Sequence, residues 1–362
     1  PTSVLPFHDE WTKNISRPSL FYIDPYIVKH AAIDKGLVQE YTAFIENRLS
    51  RNSFFDMFYN IEQLKWGRKL AVFENVWIDK YGLIVSPDRC RSVRQGGCNG
   101  TRSFDSQLST VCRSAPLVIS LDAAMTGVWH FPMEVLVGIS KLDMNSSVLR
   151  RANIHLPNDS PYVKDWMHIV GIDVRNRMVT DTVHSGILLA PQTAHCGQPF
   201  IGQVDWLVRR VTENLKLHSN SVRPLQVLLV HRRSRRINNI LEVYKVIKDF
   251  VAMMPKGTNF VIHSDKNLPS LSTQLKRFAD TDFVIAPHGA AELFTAFMKP
   301  GSYVVEFINY STGAHVCYST LAYTRGLNYH QHAMSPANTI NLDKLSKTLS
   351  EFWAHYSTVH GV

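Results

Sequence analysis

The most constraining stretch of the chain is residues 281–309, whose sequence is TDFVIAPHGAAELFTAFMKPGSYVVEFIN. Two short apolar runs, Phe283–Ala286 and Tyr303–Phe307, have the length and composition of buried strands. Between them lies an apolar segment of helical length that ends at Pro300 and Gly301. The pattern therefore predicts strand, turn, helix, turn and strand, which is the unit from which parallel sheets are built.

The turn between the first strand and the helix carries His288, Gly289 and Ala290. Gly289 can adopt backbone angles that other residues avoid, and the small residues after it let a ligand approach the backbone. The amide groups that open a helix favour a bound anion. Ligands of open α/β sheets bind at the carboxyl ends of the strands, so His288 and Glu306 are candidate site residues. The alternative is an ordinary strand-to-helix turn with a surface histidine.

A basic segment, HRRSRRINN, follows an earlier predicted strand at Leu225–Val230. A guanidinium group can bind two phosphate oxygens at once, so a diphosphate at this strand end is a natural ligand. Arg235 is the first candidate for this role and Arg232 the second, with Arg233 as the alternative to Arg232. A solvated basic surface remains the competing interpretation.

Three segments together resemble glycosyltransferase family 61. They are VIAPHGAAELFTAFMKPGSYVVEFIN, the GLNYHQH segment that begins at Gly326, and LLVHRRSRRINN, in which Arg235, Ile237 and Asn239 fit an R-x-I-x-N element. The resemblance is strong over residues 225–332 and weaker over residues 76–206.

This resemblance implies an α/β protein of GT-B architecture, with two Rossmann-like domains facing a cleft. It implies an inverting transferase that moves a sugar, xylose or N-acetylglucosamine, from a UDP-sugar donor to a hydroxyl of a glycan or glycoprotein. Relatives implied by it include plant β-1,2-xylosyltransferases and animal O-linked N-acetylglucosaminyltransferases. GLNYHQH is somewhat more similar to the plant type.

The spacing of apolar residues along the chain indicates where strands and helices alternate. It predicts one domain over residues 1–217, a second over 225–340, and a terminal helix over 341–362. The first domain contains an irregular lead-in, a meander of short strands from Leu70 to Val85 and a cysteine-containing loop. Further elements predicted there are helices at His130–Ile139, Pro161–Val170 and Ile201–Leu217, and strands at Pro116–Leu121, Val148–His155 and Val183–Pro191.

The donor is expected on the second domain and the general base on the first. Candidate donor-binding residues are Arg232, Arg235, Asn239, Ser264, Asp265, His288, Gly289, Ala290 and Glu306. His130 and Glu134 are four residues apart, so they share one face of a helix. Either could be the base, with Asp122 as a further candidate, whereas a structural cap is the ordinary role of a histidine at a helix start.

No convincing metal motif accompanies these residues. The one D-x-D spacing, Asp280 and Asp282, precedes the central strand and so lies at its amino end, away from the ligand edge. We therefore expect no cofactor and no metal requirement, with arginines and helix amides neutralising the diphosphate.

The net charge indicates the chemical class of the binding partners, and the cysteines indicate the cellular compartment. The 362 residues carry a formal net charge of +9, which favours anionic partners, but basic clustering is confined to one strand end and no nucleic-acid motif is present. Three of five cysteines share one loop, and five N-x-S/T sequons occur, at Asn14, Asn99, Asn145, Asn158 and Asn309. These features favour disulfides and the lumen of the Golgi or endoplasmic reticulum. No run has membrane-span length, so membrane association is expected only through an anchor absent from this chain.

Two other functions fit parts of the pattern. Arginine-rich HRR segments also occur in GDP-fucose-dependent fucosyltransferases, which competition between UDP and GDP would distinguish. A non-catalytic glycan- or nucleic-acid-binding module would hydrolyse no nucleotide sugar, and its nucleic-acid binding would weaken steeply with salt.

Overall fold

The structure is a computed structural model that describes residues 21–22, 70–80, 82, 84–86, 89–93, 113–121, 127–142, 147–156, 159–191, 201–218, 223–233, 236–309 and 317–362. The fold is mixed α/β, as predicted. The chain divides into two compact units at the boundary between Leu215 and Lys216. Residues 21–22 belong with the C-terminal unit.

Thirteen strands are found among the described residues. They are β1 (Phe21–Tyr22), β2 (Leu70–Ile78), β3 (Ile84–Ser86), β4 (Arg89–Val93), β5 (Arg113–Ser120), β6 (Asn153–His155), β7 (Met178–Val179), β8 (Val183–Pro191), β9 (Gln226–His231), β10 (Asn259–Ser264), β11 (Phe283–Pro287), β12 (Tyr303–Ile308) and β13 (Asn328–Ala333).

The α-helices of the described residues are α1 (Ser147–Arg151), α2 (Pro161–Ile169), α3 (Ile201–Leu215), α4 (Ile240–Ala252), α5 (Leu271–Ala279), α6 (Cys317–Thr324) and α7 (Leu342–His360). Two further helical segments are wound differently. A π-helical turn at Phe131–Val135 continues into a 3₁₀ helix at Leu136–Lys141, and a second 3₁₀ helix occupies Ala290–Phe297. No described helix is long and apolar enough to cross a membrane.

The N-terminal unit contains a mixed sheet in the order β4-β3-β2-β8-β5-β6-β7. β2 is antiparallel to both β3 and β8, whereas β8, β5, β6 and β7 are parallel to one another. The core of this sheet includes Val76, Ile78, Val118, Val183 and Leu188. The predicted meander is thus an antiparallel addition to a parallel sheet.

The C-terminal unit contains a parallel sheet in the order β1-β13-β12-β11-β9-β10. Every residue of β11 and β12 is buried, as expected for central strands covered on both faces. On one face, Phe283, Ile285, Tyr303, Val305 and Phe307 pack with α4 and α7. Alternation along β12 places Glu306 on the opposite face, the face occupied by the 3₁₀ helix Ala290–Phe297 and α6.

Local capping signals account for several helix ends. Ser160 accepts from the amide of Val163 at the start of α2, and Gly171 follows its end with a left-handed φ of 82°. Asn341 caps α7 by accepting from the amide of Lys344. The terminal helix predicted over residues 341–362 is found at Leu342–His360.

Three predictions about the elements are wrong. The strand predicted at Val148–His155 is a short helix followed by the three-residue β6, because Arg177 binds the carbonyls of Leu149 and Ala152 at the helix end. The two strands predicted within residues 70–78 are one, since Asn75 takes a left-handed φ of 54° while the pairing with β8 continues on both sides. Within the lead-in, β1 pairs with β13 and so does not belong to the first domain.

The sequon at Asn309 is also unsuited to modification in the folded protein. Asn309 is 9% exposed, and its amide nitrogen donates to the side-chain oxygen of Asn338. The other four sequons and the side chains of the three loop cysteines lie outside the described residues, as does Cys196. Cys317 is a free, buried thiol.

Candidate active site

His288 stands at the carboxyl end of β11, in the middle of the parallel sheet. Its backbone amide donates to the carbonyl of Phe307 at 2.7 Å, which extends the pairing of β11 with β12 by one residue. The neighbouring register places Ala286 opposite Glu306. The two predicted residues His288 and Glu306 are therefore brought together at one edge of the sheet, as expected for a ligand site.

The side chains of His288 and Glu306 are hydrogen-bonded to each other. Nδ1 of His288 contacts Oε1 of Glu306, and both side chains are buried. Oε2 of Glu306 accepts from the hydroxyl of Tyr329 and from Nε2 of Gln331, the latter at 3.3 Å. An ionised carboxylate can only accept hydrogen bonds, so it requires a proton of His288 to be on Nδ1. Nε2 is then the ring nitrogen on the side away from Glu306.

The backbone of the turn is held by Arg232 and Glu292. Nη1 of Arg232 donates to the carbonyl of His288 at 2.8 Å. The carboxylate of Glu292 accepts from the amide of Gly289 at 3.0 Å, and Ala290 is the first residue of the 3₁₀ helix. The sequence suggested that the amides opening this helix face an external anion. In the structure, a carboxylate from the same helix already occupies the Gly289 amide.

Helix α6 closes the site with Cys317 and Tyr318. The ring of Tyr318 packs edge-on against His288, with centroids 4.9 Å apart. Burial, followed by the charges of Glu306 and Glu292, raises the pKa of the Cys317 thiol well above its usual value. Burial is also the main cause that raises the pKa of Tyr318, and its charged neighbours include Arg232. The Cys317 thiol and the Tyr318 phenol are therefore both protonated at physiological pH and can donate hydrogen bonds.

Metal-binding capacity is limited to one group among the described residues. His288, Glu292 and Glu306 each offer a ligand atom, and these atoms lie within 4.8 Å of one another. However, Nδ1 of His288 and Oε1 of Glu306 are bonded to each other, and the guanidinium of Arg232 already brings positive charge to the turn. Independence from a metal stays a prediction.

Three other predicted donor-binding residues, Asp265, Ser264 and Asn239, hold loops near the same sheet edge. Both carboxylate oxygens of Asp265 accept from the amide of Arg233, at 3.1 and 3.0 Å, which joins the ends of β9 and β10. Ser264 accepts from the amide of Lys266. The side-chain amide of Asn239 both donates to and accepts from the backbone of Ile340, at 2.9 Å each. Arg235 lies outside the described residues.

The N-terminal unit carries a second histidine–glutamate pair. Nδ1 of His130 lies 3.0 Å from Oε1 of Glu134, which also accepts from the indole nitrogen of Trp129 at 2.9 Å. Glu134 is fully buried, whereas the His130 side chain is 36% exposed. The hydrogen bond to Glu134 raises the pKa of His130, burial opposes this, and the Glu134 charge adds to the rise. A buried carboxylate that orients an accessible imidazole is the arrangement of a general base.

The remaining residues singled out in the sequence are carboxylates. Asp122 lies outside the described residues. Asp282 forms a two-pronged ion pair with Arg223, at 2.8 and 2.9 Å, and accepts from the amide of Gln226. Since these contacts lie where β9 and β11 begin, the predicted position of Asp282 at the amino edge is confirmed.

Fold and site together define a mixed α/β protein whose chemistry-bearing residues lie at the carboxyl edge of a parallel sheet and in a separate His–Glu pair. The family model described as Glycosyltransferase 61 matches residues 128–305, which include both pairs apart from Glu306. The predicted family is thereby confirmed, because residues 128–305 of the chain match its model.

Comparisons with individual proteins add little to this assignment. No curated protein matches the chain. Solved structures similar to it include two mutants of the flavo di-iron protein from Thermotoga maritima, 14% and 15% identical, with TM-scores of 0.29 and 0.30. Each alignment covers 59% of this chain and 54% of the other, so the chain spans about half the length of these structures. TM-scores this low carry no argument about fold or activity.

Sequence reasoning missed four residues of the site, namely Glu292, Tyr318, Tyr329 and Gln331. Glu292 stands at the third position of a helix start, where a carboxylate often caps the preceding amide, so a capping-box search would have found it. Tyr329 and Gln331 belong to a strand that the sequence analysis noticed only as a family segment. The alternation of GLNYHQH is the signal that places them on one face.

Proposed function

We propose that this protein is an inverting glycosyltransferase that moves a sugar from a UDP-sugar to a hydroxyl of a glycan or glycoprotein. Xylose and N-acetylglucosamine are the proposed donor sugars. The observation that carries the proposal is the buried His288–Glu306 pair at the carboxyl edge of the parallel sheet. The family match supports glycosyl transfer in general.

In this proposal the C-terminal unit binds the donor. The diphosphate lies near the turn at His288 and near the basic segment after β9, where Arg235 and Arg232 supply positive charge. His288 donates from Nε2 to a phosphate oxygen or contacts the transferred sugar, and so stabilises charge on the leaving diphosphate. Arg232 contributes through the His288 carbonyl, which it fixes in place.

The proposed general base is His130 of the N-terminal unit. Deprotonating an acceptor hydroxyl requires a neutral imidazole held in one orientation, and Glu134 provides the orientation. We also propose the GT-B arrangement that the family implies. Activity without a metal, and residence in the lumen of the Golgi or endoplasmic reticulum, complete the proposal. The cysteine-rich loop and the four sequons other than Asn309 support that compartment.

The test is a panel of nucleotide sugars incubated with the full chain. UDP-xylose and UDP-N-acetylglucosamine should be hydrolysed slowly without acceptor and should raise the unfolding temperature, and UDP should compete whereas GDP should not. Preferential stabilisation by GDP would favour fucosyl transfer instead. Absence of both hydrolysis and stabilisation with every sugar nucleotide would overturn the proposed function.

A further inference from the structure

Strand β13 presents two different polar faces to the C-terminal unit. Tyr329 and Gln331 are directed at Glu306, and both are buried. The alternate residues His330 and His332 lie on the other face, where both imidazoles approach the hydroxyl of Thr348 in α7. Tyr329 and Gln331 therefore belong to the candidate site, whereas His330 and His332 pack between the sheet and α7.

Both carboxylate oxygens of Glu306 have hydrogen-bond partners within the protein. One oxygen contacts His288 and the other accepts from Tyr329 and Gln331, while the residue as a whole is fully buried. Direct binding of the donor by Glu306 stays a prediction, whereas its contact with Nδ1 connects Glu306 to His288.

We propose that Tyr329 and Gln331 are positioning residues that act through Glu306, which they hold so that His288 presents Nε2 to the diphosphate or the transferred sugar. This inference rests on the proposed function, in which His288 contacts the donor. Two donors on one carboxylate oxygen fix the plane of the carboxylate, and the carboxylate fixes the imidazole through Nδ1. The ring of Tyr318 packs against the imidazole of His288 and restricts its rotation.

The cost of burying Gln331 favours this role over a purely structural one. Its side-chain oxygen is buried and has no hydrogen-bond partner among the described residues. An unmet buried acceptor is destabilising, and an apolar side chain would avoid it. Buried polar atoms without a hydrogen-bond partner break a general rule of protein cores, and such exceptions are expected at functional sites.

Among the residues that the structure describes, the charged and titratable groups that face His288 and Glu306 come from four places in the fold. Arg232 follows β9, Glu292 belongs to the 3₁₀ helix, Cys317 and Tyr318 belong to α6, and Tyr329 belongs to β13. Burial, followed by the charges of Glu306 and Glu292, raises the pKa of Tyr329 well above its usual value. The phenol therefore stays protonated and donates at every physiological pH.

The test compares Tyr329→Phe with Tyr303→Phe in the full chain. Both tyrosines are buried in neighbouring strands. The hydroxyl of Tyr329 donates to Glu306, whereas the hydroxyl of Tyr303 is hydrogen-bonded to His355, at 2.7 Å, on the other face of the sheet. Tyr329→Phe should lower kcat by about 10- to 100-fold, the equivalent of one hydrogen bond to a charged group, with KM for the donor within about twofold. Tyr303→Phe should leave both constants near wild type.

A spectroscopic readout keeps the test independent of activity. In ¹⁵N-histidine-edited NMR, the Nδ1 proton of His288 should give a downfield signal that moves in Tyr329→Phe and in Glu306→Gln and stays in Tyr303→Phe. An unmoved signal in Tyr329→Phe, or a kcat equal to that of Tyr303→Phe, would overturn the inference. If the wild type uses no UDP-sugar, the proposed function fails, and the NMR comparison still decides whether Tyr329 positions His288.

Discussion

The guanidinium of Arg232 lies where a side chain on Gly289 would begin. A Cβ atom built on Gly289 would come within 1.3 Å of Nη1 and 2.4 Å of Cζ of Arg232. The glycine is therefore required by the close approach of an arginine from an earlier strand end, whereas the sequence suggested a ligand there.

Replacing Gly289 with alanine should displace Arg232 and break its bond to the His288 carbonyl. We expect a loss of about 1.5–3 kcal/mol in unfolding free energy, the range for a hydrogen bond to a charged group, measured by urea denaturation. Gly301→Ala is the control, because Gly301 has a left-handed φ of 86° but nothing within 4 Å of its Cβ position. An equal loss in both variants would show that backbone strain, and not the contact with Arg232, causes the effect.

His130→Ala should leave UDP affinity within about twofold and reduce transfer by about 10²–10⁴-fold, as expected for a general base. Glu134→Gln tests the orienting carboxylate. It removes the charge and weakens the hydrogen bond, which both raise the pKa of His130, and it leaves burial, which lowers that pKa. Since the neutral imidazole is the active form, the acid limb of the pH–rate profile should move to lower pH.

The same two variants also test the opposite assignment, in which Glu134 is the base and His130 is not. If Glu134→Gln abolishes transfer while His130→Ala retains it, Glu134 is the base. If neither changes turnover, the base is another group, and Asp122 is the next residue to replace.

Arg235→Ala should weaken UDP binding by about 1.5–3 kcal/mol in calorimetry, because a charged donor to the diphosphate is lost. Arg236→Ala is the matched control, since Arg236 is exposed in the same basic segment. Equal affinities in the two variants and wild type would remove Arg235 from the donor site.

Activity should survive EDTA and gain little from manganese, because arginines and protein hydrogen bonds carry the diphosphate charge. The assay is transfer after exhaustive chelation, with manganese added back. Loss on chelation and recovery with manganese would direct attention to His288, Glu292 and Glu306, whose ligand atoms already lie within 4.8 Å of one another.

The buried histidine His332 should make the C-terminal unit less stable in acid. Burial, reinforced by His330 and Lys344, lowers its pKa from 6.5 to about 3. Between these two values the unfolded chain binds a proton that the folded chain does not, so stability falls as pH falls, by up to about 1.4 kcal/mol per pH unit. His332→Gln should flatten this slope in denaturant titrations from pH 7 to 4, and the exposed His360→Gln should leave it unchanged.

The sequence correctly predicted the elements that depend on local residue patterns. β8 was predicted with its observed bounds, and β11 and β12 within one residue at the carboxyl end, because short apolar runs between turn residues specify buried strands. The contact between His130 and Glu134 could also be predicted, since residues four apart in a helical segment lie side by side. The π-helical winding that carries it could not.

The tertiary structure alone decided the partners of Glu306 and of Gly289. Tyr329 reaches Glu306 from 23 residues later because β13 pairs with β12, and a parallel register depends on packing across the sheet rather than on local propensity. Arg232 reaches Gly289 because β9 and β11 are neighbours although two helices and β10 separate them in the chain. The sequence by itself determined which residues could carry the chemistry, whereas strand order and register, which are nonlocal properties, determined which of them touch.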